Sequence, residues 1–387
     1  MSSVNAYPQA DPLAGLVLDG RYRVDTLIAT GGMSAVYRGM DLRLDRPVAL
    51  KIMDTRYAGD AQFLTRFQRE ARAVARLKDP GLVAVYDQGI DGQHAFLVME
   101  LIEGGTLREL LRERGPMPPH AAAAVLAPVL SGLAVAHRGG LVHRDIKPEN
   151  VLISHDGDVK IADFGLVRAV AEAKITSTSV ILGTAAYLSP EQVSTGTADP
   201  RSDVYAVGIL TYELLTGATP FTGDSALAVA YQRMDHDVPA PGTVIAGVPT
   251  QFDDLVLRAT ARDPAGRYAD AMEMGDDLDE IVDELGLPPF RVPAPLRSAQ
   301  YAAAAPATRP PADPRRQTRA LTRDDWPPQP EYRPAADQFA GIDLDEFYWA
   351  RQRSKRAVLF WMVTVLTITG LVAAAAWTLG TNLHNLI

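Results

Sequence analysis

The run His143-Arg144-Asp145-Ile146-Lys147-Pro148-Glu149-Asn150 places a carboxylate, a cation and an amide close together, and Asp163-Phe164-Gly165 follows thirteen residues after Asn150. A carboxylate can orient an attacking hydroxyl, and a second carboxylate with an amide oxygen offers hard ligands to a divalent cation. A nearby lysine stabilises negative charge. These are the parts that transfer of a phosphoryl group requires, because such chemistry is mostly positioning and charge stabilisation. Three features lie upstream: the small-residue stretch Ile28-Ala29-Thr30-Gly31-Gly32-Met33-Ser34-Ala35-Val36, then Lys51, then Glu70. Taken singly, each is ordinary. A glycine pair in a hairpin is usually a turn, a lysine closing an apolar strand usually snorkels to water, and a mid-helix glutamate is usually solvated. All five features in this order are not expected by chance.

These residues need elements to hold them. Val48-Ala49-Leu50-Lys51-Ile52 and Phe96-Leu97-Val98-Met99 read as short apolar strands, and Phe63 to Leu77 reads as an amphipathic helix with apolar residues at Phe63, Phe67, Val74 and Leu77. After Leu107 helical patterning dominates, interrupted by the strand-like Val151-Leu152-Ile153 and Val159-Lys160-Ile161. The expected class is α+β, a β-rich first lobe followed by an α-rich second lobe, with no internal repeat. The expected boundaries are an N-terminal tail over 1–19, a globular domain over 20–287, a linker over 288–350, a basic flank over 351–356, a membrane span over 357–379 and a short outer tail over 380–387.

The chain has 387 residues, 47% of them apolar and 22% charged, enough to bury a core and too many for wholesale disorder. It has no cysteine, which excludes disulfides, Cys-ligated metal and thiol nucleophiles. The net charge of −9 is uneven. Residues 1–290 hold 26 Lys/Arg against 39 Asp/Glu, whereas 291–356 hold 12 against 8. So acidic a globular part is not a general nucleic-acid binder. Twelve of the 28 prolines fall between 288 and 334, a density that precludes helix or sheet and predicts an extended linker.

The 23 residues from Ala357 to Leu379 carry no charge. At about 1.5 Å per residue they extend roughly 34 Å, enough for a bilayer core. Trp361 and Trp377 lie near the two ends, Arg351, Arg353, Lys355 and Arg356 precede the span, and no Lys or Arg follows it. That asymmetry predicts a single-pass protein of the cell membrane, with residues 1–356 in the cytoplasm and the C-terminal tail outside. The N-terminus lacks the pattern of a signal peptide. Phe339, Ile342, Phe347, Tyr348 and Trp349 form an apolar-aromatic cluster that suits either the membrane interface or a partner protein.

The succession of glycine loop, Lys51, Glu70, His-Arg-Asp and Asp-Phe-Gly is similar to the protein-kinase motif set, and from about Tyr22 to Leu285 the chain resembles the eukaryotic-like serine/threonine protein kinases of bacteria. The resemblance implies a bilobal kinase fold that uses ATP with Mg²⁺ or Mn²⁺ to phosphorylate Ser/Thr of proteins. It gives Lys51 the α- and β-phosphates with Glu70 as its ion-pair partner, and Asp145 the substrate hydroxyl proton with Lys147 near the γ-phosphate. Asn150 and Asp163 become metal ligands. The residues from Ile28 to Val36 cover the nucleotide: Ile28, Ala29, Thr30, Gly31, Gly32, Met33, Ser34, Ala35 and Val36. Val36, Ala49 and Leu152 sandwich the adenine, Met99 guards the back of its pocket, and backbone groups of Glu100 and Ile102 bond its edge. Ser189-Pro190-Glu191 stands where the family has Ala-Pro-Glu, with Glu191 expected to pair with Arg267, Asp203 to brace the catalytic loop, and Thr184 to lie beside Lys147.

Ala29 and Ser34 replace two glycines of the family's loop, so only Gly31 of the three matches. No catalytic side chain is lost by this. Arg144 beside Asp145, with the hydroxyl-rich Ile175-Thr176-Ser177-Thr178-Ser179, predicts autophosphorylation at Thr176 and Thr178, a phosphate there satisfying the cation. Kinase domain, proline-containing linker, single span and eight-residue outer tail are similar to one membrane-anchored actinobacterial branch of the family, and the stretches Ile28–Gly39, Leu182–Gln192 and Gly370–Gly380 support it. Relatives suggest dimerisation, activation in trans, and substrates in cell-wall synthesis, division or transcription control. The alternatives are a catalytically silent scaffold, expected to lack Lys51, Asp145 or Asp163, and a small-molecule kinase, expected to lack the long acceptor segment.

Overall fold

The computed structural model describes residues 11–164, 185–223 and 225–299, together with the backbone of 338–339 and 342–343. Gly165, Thr176, Thr178, Thr184 and the expected span over 357–379 lie outside the described residues. The chain divides into two units, 1–308 and 309–387. In the second, Gln338–Phe339 pairs antiparallel with Ile342–Asp343, a short ladder within the region expected to be linker.

The first lobe is an antiparallel sheet of β1 (Val17–Leu18), β2 (Tyr22–Thr30), β3 (Ser34–Asp41), β4 (Arg46–Met53), β5 (Val85–Asp91) and β6 (His94–Met99), in the order β1-β2-β3-β4-β6-β5. Strand alternation sorts its residues between two cores. Val48, Leu50 and Ile52 of β4 join Phe96 and Val98 of β6 in an outer cluster. Ala49, Met53, Leu97 and Met99 belong to the main core, and Lys51 shares their side of β4. The outer row needs a cover. Leu13, Leu16 and Leu18 supply it, so residues 11–18, expected as tail, are part of the domain.

The helix α1 (Ala61–Val74) buries Phe63, Phe67, Ala71 and Val74 on one face. Asp60 caps it by accepting from the Gln62 and Phe63 amides, which starts the helix two residues earlier than expected. It also ends earlier, at Val74. The Arg76 and Leu77 amides there bond three residues back, to Ala73 and Val74, tightening the last turn before Pro80.

Residues 100–103 lead into the second lobe. There β7 (Gly104–Thr106), β8 (Val151–Ser154) and β9 (Val159–Ile161) form a small antiparallel sheet. The helices are α2 (Leu107–Arg114), α3 (Pro119–Arg138), α4 (Pro190–Ser194), α5 (Pro200–Thr216), α6 (Ala226–Asp235), α7 (Thr250–Ala259) and α8 (Ala271–Glu284). By length and composition α3 could cross a membrane, but it is mostly buried and packs against α5 and α8. It is a core helix. In α5, fourteen residues are buried, among them Asp203 and Glu213, so both carboxylates must find partners inside the protein. Nor does the chain leave the domain at 288 as expected: Val292 and Ser298 are buried. Residues 287–295 form neither helix nor sheet, and the chain bends at Leu296–Arg297 and turns helical at Ala299, yet the stretch still packs.

Candidate active site

The pairing of β3, β4 and β6 sets one wall of the cleft. Val36 lies opposite Lys51, and Ala49 opposite Met99. Ala49 and Met99 are buried, while Val36 and Leu152 are half-buried against the main core. Ile28 and Ala29 lie in β2, and Ser34 and Ala35 in β3; Thr30 is exposed at the end of β2, and Gly31 and Gly32 are exposed at the turn that follows. That turn is closed by the Gly31 amide on the Ser34 carbonyl at 2.8 Å, and Met33 is anchored through its carbonyl to the Asp54 amide at 2.9 Å. Past β6, the Glu100 amide is taken by the Ala84 carbonyl at 2.8 Å and its side chain by Lys160 at 2.7 Å. No bond to its carbonyl is found among the described residues, and Ile102 two positions on is buried.

Lys51 Nζ lies 2.7 Å from Asp163 Oδ1. The expected Lys51–Glu70 pair is not among the described contacts: Glu70 is half-buried on α1 while the lysine turns toward the Asp-Phe-Gly aspartate. The ammonium is engaged by Asp163, and Glu70 has a contact of its own. Burial opposes ionisation of Asp163, but the Lys51 charge and hydrogen bond, with smaller contributions from His143 and Lys147, outweigh it and hold the carboxyl below its usual range.

Asp145 Oδ2 receives Lys147 Nζ at 2.9 Å and Asn150 Nδ2 at 3.1 Å, and Asn150 Nδ2 also donates to the Asp145 carbonyl at 2.7 Å. With its amide nitrogen so committed, Asn150 keeps its side-chain oxygen as an acceptor. That oxygen and the Asp163 carboxylate form a hard donor set that fits Mg²⁺ or Mn²⁺. Two backbone positions here are strained: Arg144 has φ 68° and Asp163 φ 62°, both left-handed and neither glycine. Asp203 holds the first in place. Its carboxylate accepts the His143 and Arg144 amides, each at 2.7 Å, as expected for a brace. His137 Nε2, 2.9 Å from the same carboxylate and equally buried, adds a contact with no sequence signal. His143 reaches the Ala162 carbonyl at 3.0 Å and packs on the Phe164 ring, tying the two motifs together.

The acceptor side is held by buried ion pairs. Arg267, with no side-chain exposure, makes a bidentate pair with Glu191 at 2.9 Å per bond, as expected, and Ser202 donates to the same carboxylate at 2.6 Å. Burial would raise the Glu191 pKa, but the hydrogen bonds from Arg267 and Ser202 bring it below its usual value.

A second cluster was missed in the sequence. Arg108 on α2 reaches Glu149 at 2.8 Å, Glu213 at 2.5 Å and the Tyr187 hydroxyl at 2.7 Å, and Tyr187 donates to Glu213. Burial strongly raises the Tyr187 pKa, and the Glu213 charge adds to the effect. The partners of Arg108 lie 41, 105 and 79 residues away, so spacing gave no clue. Glu213 was detectable: it is a lone carboxylate in the apolar run of α5.

A profile of the protein kinase domain matches residues 22–275. The chain is 66% identical over 392 residues to serine/threonine-protein kinase PknL of Mycobacterium tuberculosis, covering 97% of this chain and 98% of that one. It is 41% identical over 271 residues to serine/threonine-protein kinase PrkC of Bacillus subtilis, covering 70% of this chain and 42% of the relative. Among solved structures, the Mycobacterium tuberculosis PknI kinase domain superposes with a TM-score of 0.55 at 26% identity, covering 69% of this chain and 98% of that one. Joined to the Asp145–Lys147–Asn150 cluster and the Asp163–Lys51 pair, these likenesses decide the matter: the chain belongs to the protein kinase family and is a serine/threonine protein kinase.

Proposed function

We propose that this kinase is an active, membrane-anchored enzyme that phosphorylates itself on the activation segment and then cytoplasmic protein substrates. The observation that carries the catalytic part is the convergence of Asp145, Lys147 and Asn150 around one carboxylate oxygen, beside a braced backbone. In this reading ATP lies against Val36, Ala49, Met99 and Leu152, with its base edge on the Glu100 carbonyl and the Ile102 amide. Lys51 moves from Asp163 to the α- and β-phosphates, and Glu70 takes up its charge there. Asn150 and Asp163 would hold the divalent ion, which would neutralise charge on the phosphates. Asp145 orients the acceptor hydroxyl and receives its proton, and Lys147 stabilises the transferred group.

The anchoring part rests on the uncharged stretch over 357–379 and the cations before it. Thr176 and Thr178 are the proposed switch because they lie between Asp163 and Glu191 and because Arg144 stands next to the catalytic carboxylate. Pairing of two copies would let one phosphorylate the other. The test uses the full chain in detergent with labelled ATP and Mg²⁺ or Mn²⁺, Asp145→Asn beside it, and mapping of the modified sites. The expected result is label at Thr176 and Thr178 that is absent in the variant. Label elsewhere only would refute the switch; no label with either metal, despite bound ATP, would favour a scaffold.

A further inference from the structure

The stretch from Arg291 to Ala299 lies beyond the matched kinase profile, yet it is seated on the kinase domain through a built surface. Val292, Pro295 and Ser298 are buried and their neighbours are more open; the stretch runs without helix or sheet as far as Pro295, bends at Leu296 and Arg297, and turns helical at Ala299. At one end Arg291 Nε donates to the Asp156 carbonyl at 2.7 Å. At the other, the Glu113 carboxylate accepts the Leu296 and Arg297 amides at 2.9 and 2.6 Å, and Glu109 Oε1 accepts the Ala299 amide at 3.0 Å. Gly105 makes room: a Cβ there would come within 2.4 Å of Pro295 and 2.8 Å of Ser298.

The seat adjoins the catalytic machinery on two sides. Gly105 and Thr106 belong to β7, which pairs with Ile153 and Leu152 of β8, so the segment backs the strands that present Leu152 to the cleft. Glu109 divides its oxygens: Oε1 holds the segment, and Oε2 closes the N-terminal cap of α2 through the Thr106 amide at 2.8 Å. One residue earlier on that helix, Arg108 reaches Glu149 of the catalytic loop and Tyr187 of the acceptor segment.

We propose that Gly105, Glu109 and Glu113 form a docking surface for this chain's own 291–299 segment, and that its occupancy positions α2 and β7 for turnover. Glu109 and Glu113 are then positioning residues, acting through Arg108 and Leu152. The inference rests on the adenine contact proposed for Leu152 and on the bonds that Arg108 makes to Glu149 and Tyr187, and not on membrane anchoring. Whatever binds or pulls on residues beyond 299 would act on the active site by drawing the segment out of its seat.

The test uses the full chain and follows hydrogen exchange beside kinetics. In the wild type the amides of Leu296, Arg297 and Ala299 should be protected. Arg297→Pro deletes one donor without touching the kinase side, and Glu113→Gln weakens the acceptor. Each should release the segment, speed exchange in α2 and raise the KM for ATP about five- to tenfold, the lower range of ordinary coupling between sites. The double variant should be no worse than either single one, since both break one contact. A free peptide of residues 288–300 should restore the KM of Arg297→Pro, which a general loss of folding would not allow. Unprotected amides in the wild type, release with an ATP KM within about twofold of the wild type, or failure of the peptide to rescue would each overturn the proposal. Loss of all activity, including in the wild type, would instead count against the catalytic reading.

Discussion

The nucleotide side of the cleft and the acceptor platform are built by opposite rules. On the nucleotide side, Lys51 and Asp163 share a single contact, with the Asp163 side chain one-third exposed, and Lys147 and Asp145 are both partly open. On the platform, Arg267 is fully buried with two bonds to Glu191 and further bonds to the Ala261, Arg201 and Arg262 carbonyls. Glu213, nearly as buried, receives both Arg108 and Tyr187. The Asp163, Asp145 and Lys147 side chains keep an open side, as partners that exchange require. The Arg267 and Glu213 side chains are enclosed with their partners, as a fixed platform requires. The strained φ at Arg144 and Asp163 falls at the junction, where the rigid brace from Asp203 meets the open cleft.

The sharpest way to separate the two regions is to remove function without removing structure. Asp145→Asn keeps its backbone partners and should leave the melting temperature within a degree or two. It should nevertheless cut phosphoryl transfer by about 10²- to 10⁴-fold, the usual range for a positioned base. Steady-state transfer to a protein substrate, with thermal denaturation alongside, measures both. A large loss of stability would mean that Asp145 belongs to the platform class after all.

Breaking the platform should do the reverse. Glu191→Ala leaves Arg267 buried without its carboxylate, and removing one partner of a buried pair costs on the order of 3–5 kcal/mol. Chemical denaturation should show that loss, and activity should fall only as far as the folded fraction does at low temperature. Lys51→Met is the control from the other region: it removes a single-bond contact, so stability should change little while nucleotide use collapses.

Acid should act on the same division. The folded-state pKa of Glu191 lies below its ordinary value of 4.5, so its pair with Arg267 contributes stability in full above that value and loses it as pH falls through the depressed one. Asp163, also depressed, follows the same sign. The wild type should therefore lose stability steeply below about pH 4, the ordinary carboxylate range, and Glu191→Gln should flatten part of that slope. A slope unchanged in the variant would place the acid-sensitive carboxylates elsewhere.

The two regions also differ in how far the sequence disclosed them. The nucleotide side was legible because its residues sit in short motifs, and strand alternation alone puts Ala49 and Lys51 on one face of β4. The bilobal α+β architecture followed from the same patterning. The platform was only half legible. Glu191, Asp203 and Arg267 came through the family resemblance, whereas Arg108, Tyr187 and His137 did not, because their bonds close over long separations that no local pattern records. The two boundary errors share one cause. Composition marked 11–18 as tail and 288–299 as linker, but a few apolar residues at the right spacing, Leu13, Leu16 and Leu18 or Val292 and Pro295, suffice to hold an irregular segment on a surface.

The smallest effect tests the turn expected to cover the phosphates. Ala29 stands where relatives of this fold carry glycine, but here it is exposed in β2, paired with Val36 next to a register shift at Leu27. Its side chain is exposed, so Ala29→Gly relieves little. A strand glycine also costs roughly 0.5–1 kcal/mol in backbone entropy. The ATP KM should then move by less than about threefold, with a slight fall in melting temperature, because 1.4 kcal/mol would be needed for a tenfold change. Tighter binding by tenfold or more would show that the backbone freedom lost at Ala29 limits how the loop closes on phosphate. The nucleotide side would then be set by its covering turn as much as by the Lys51–Asp163 pair beneath it.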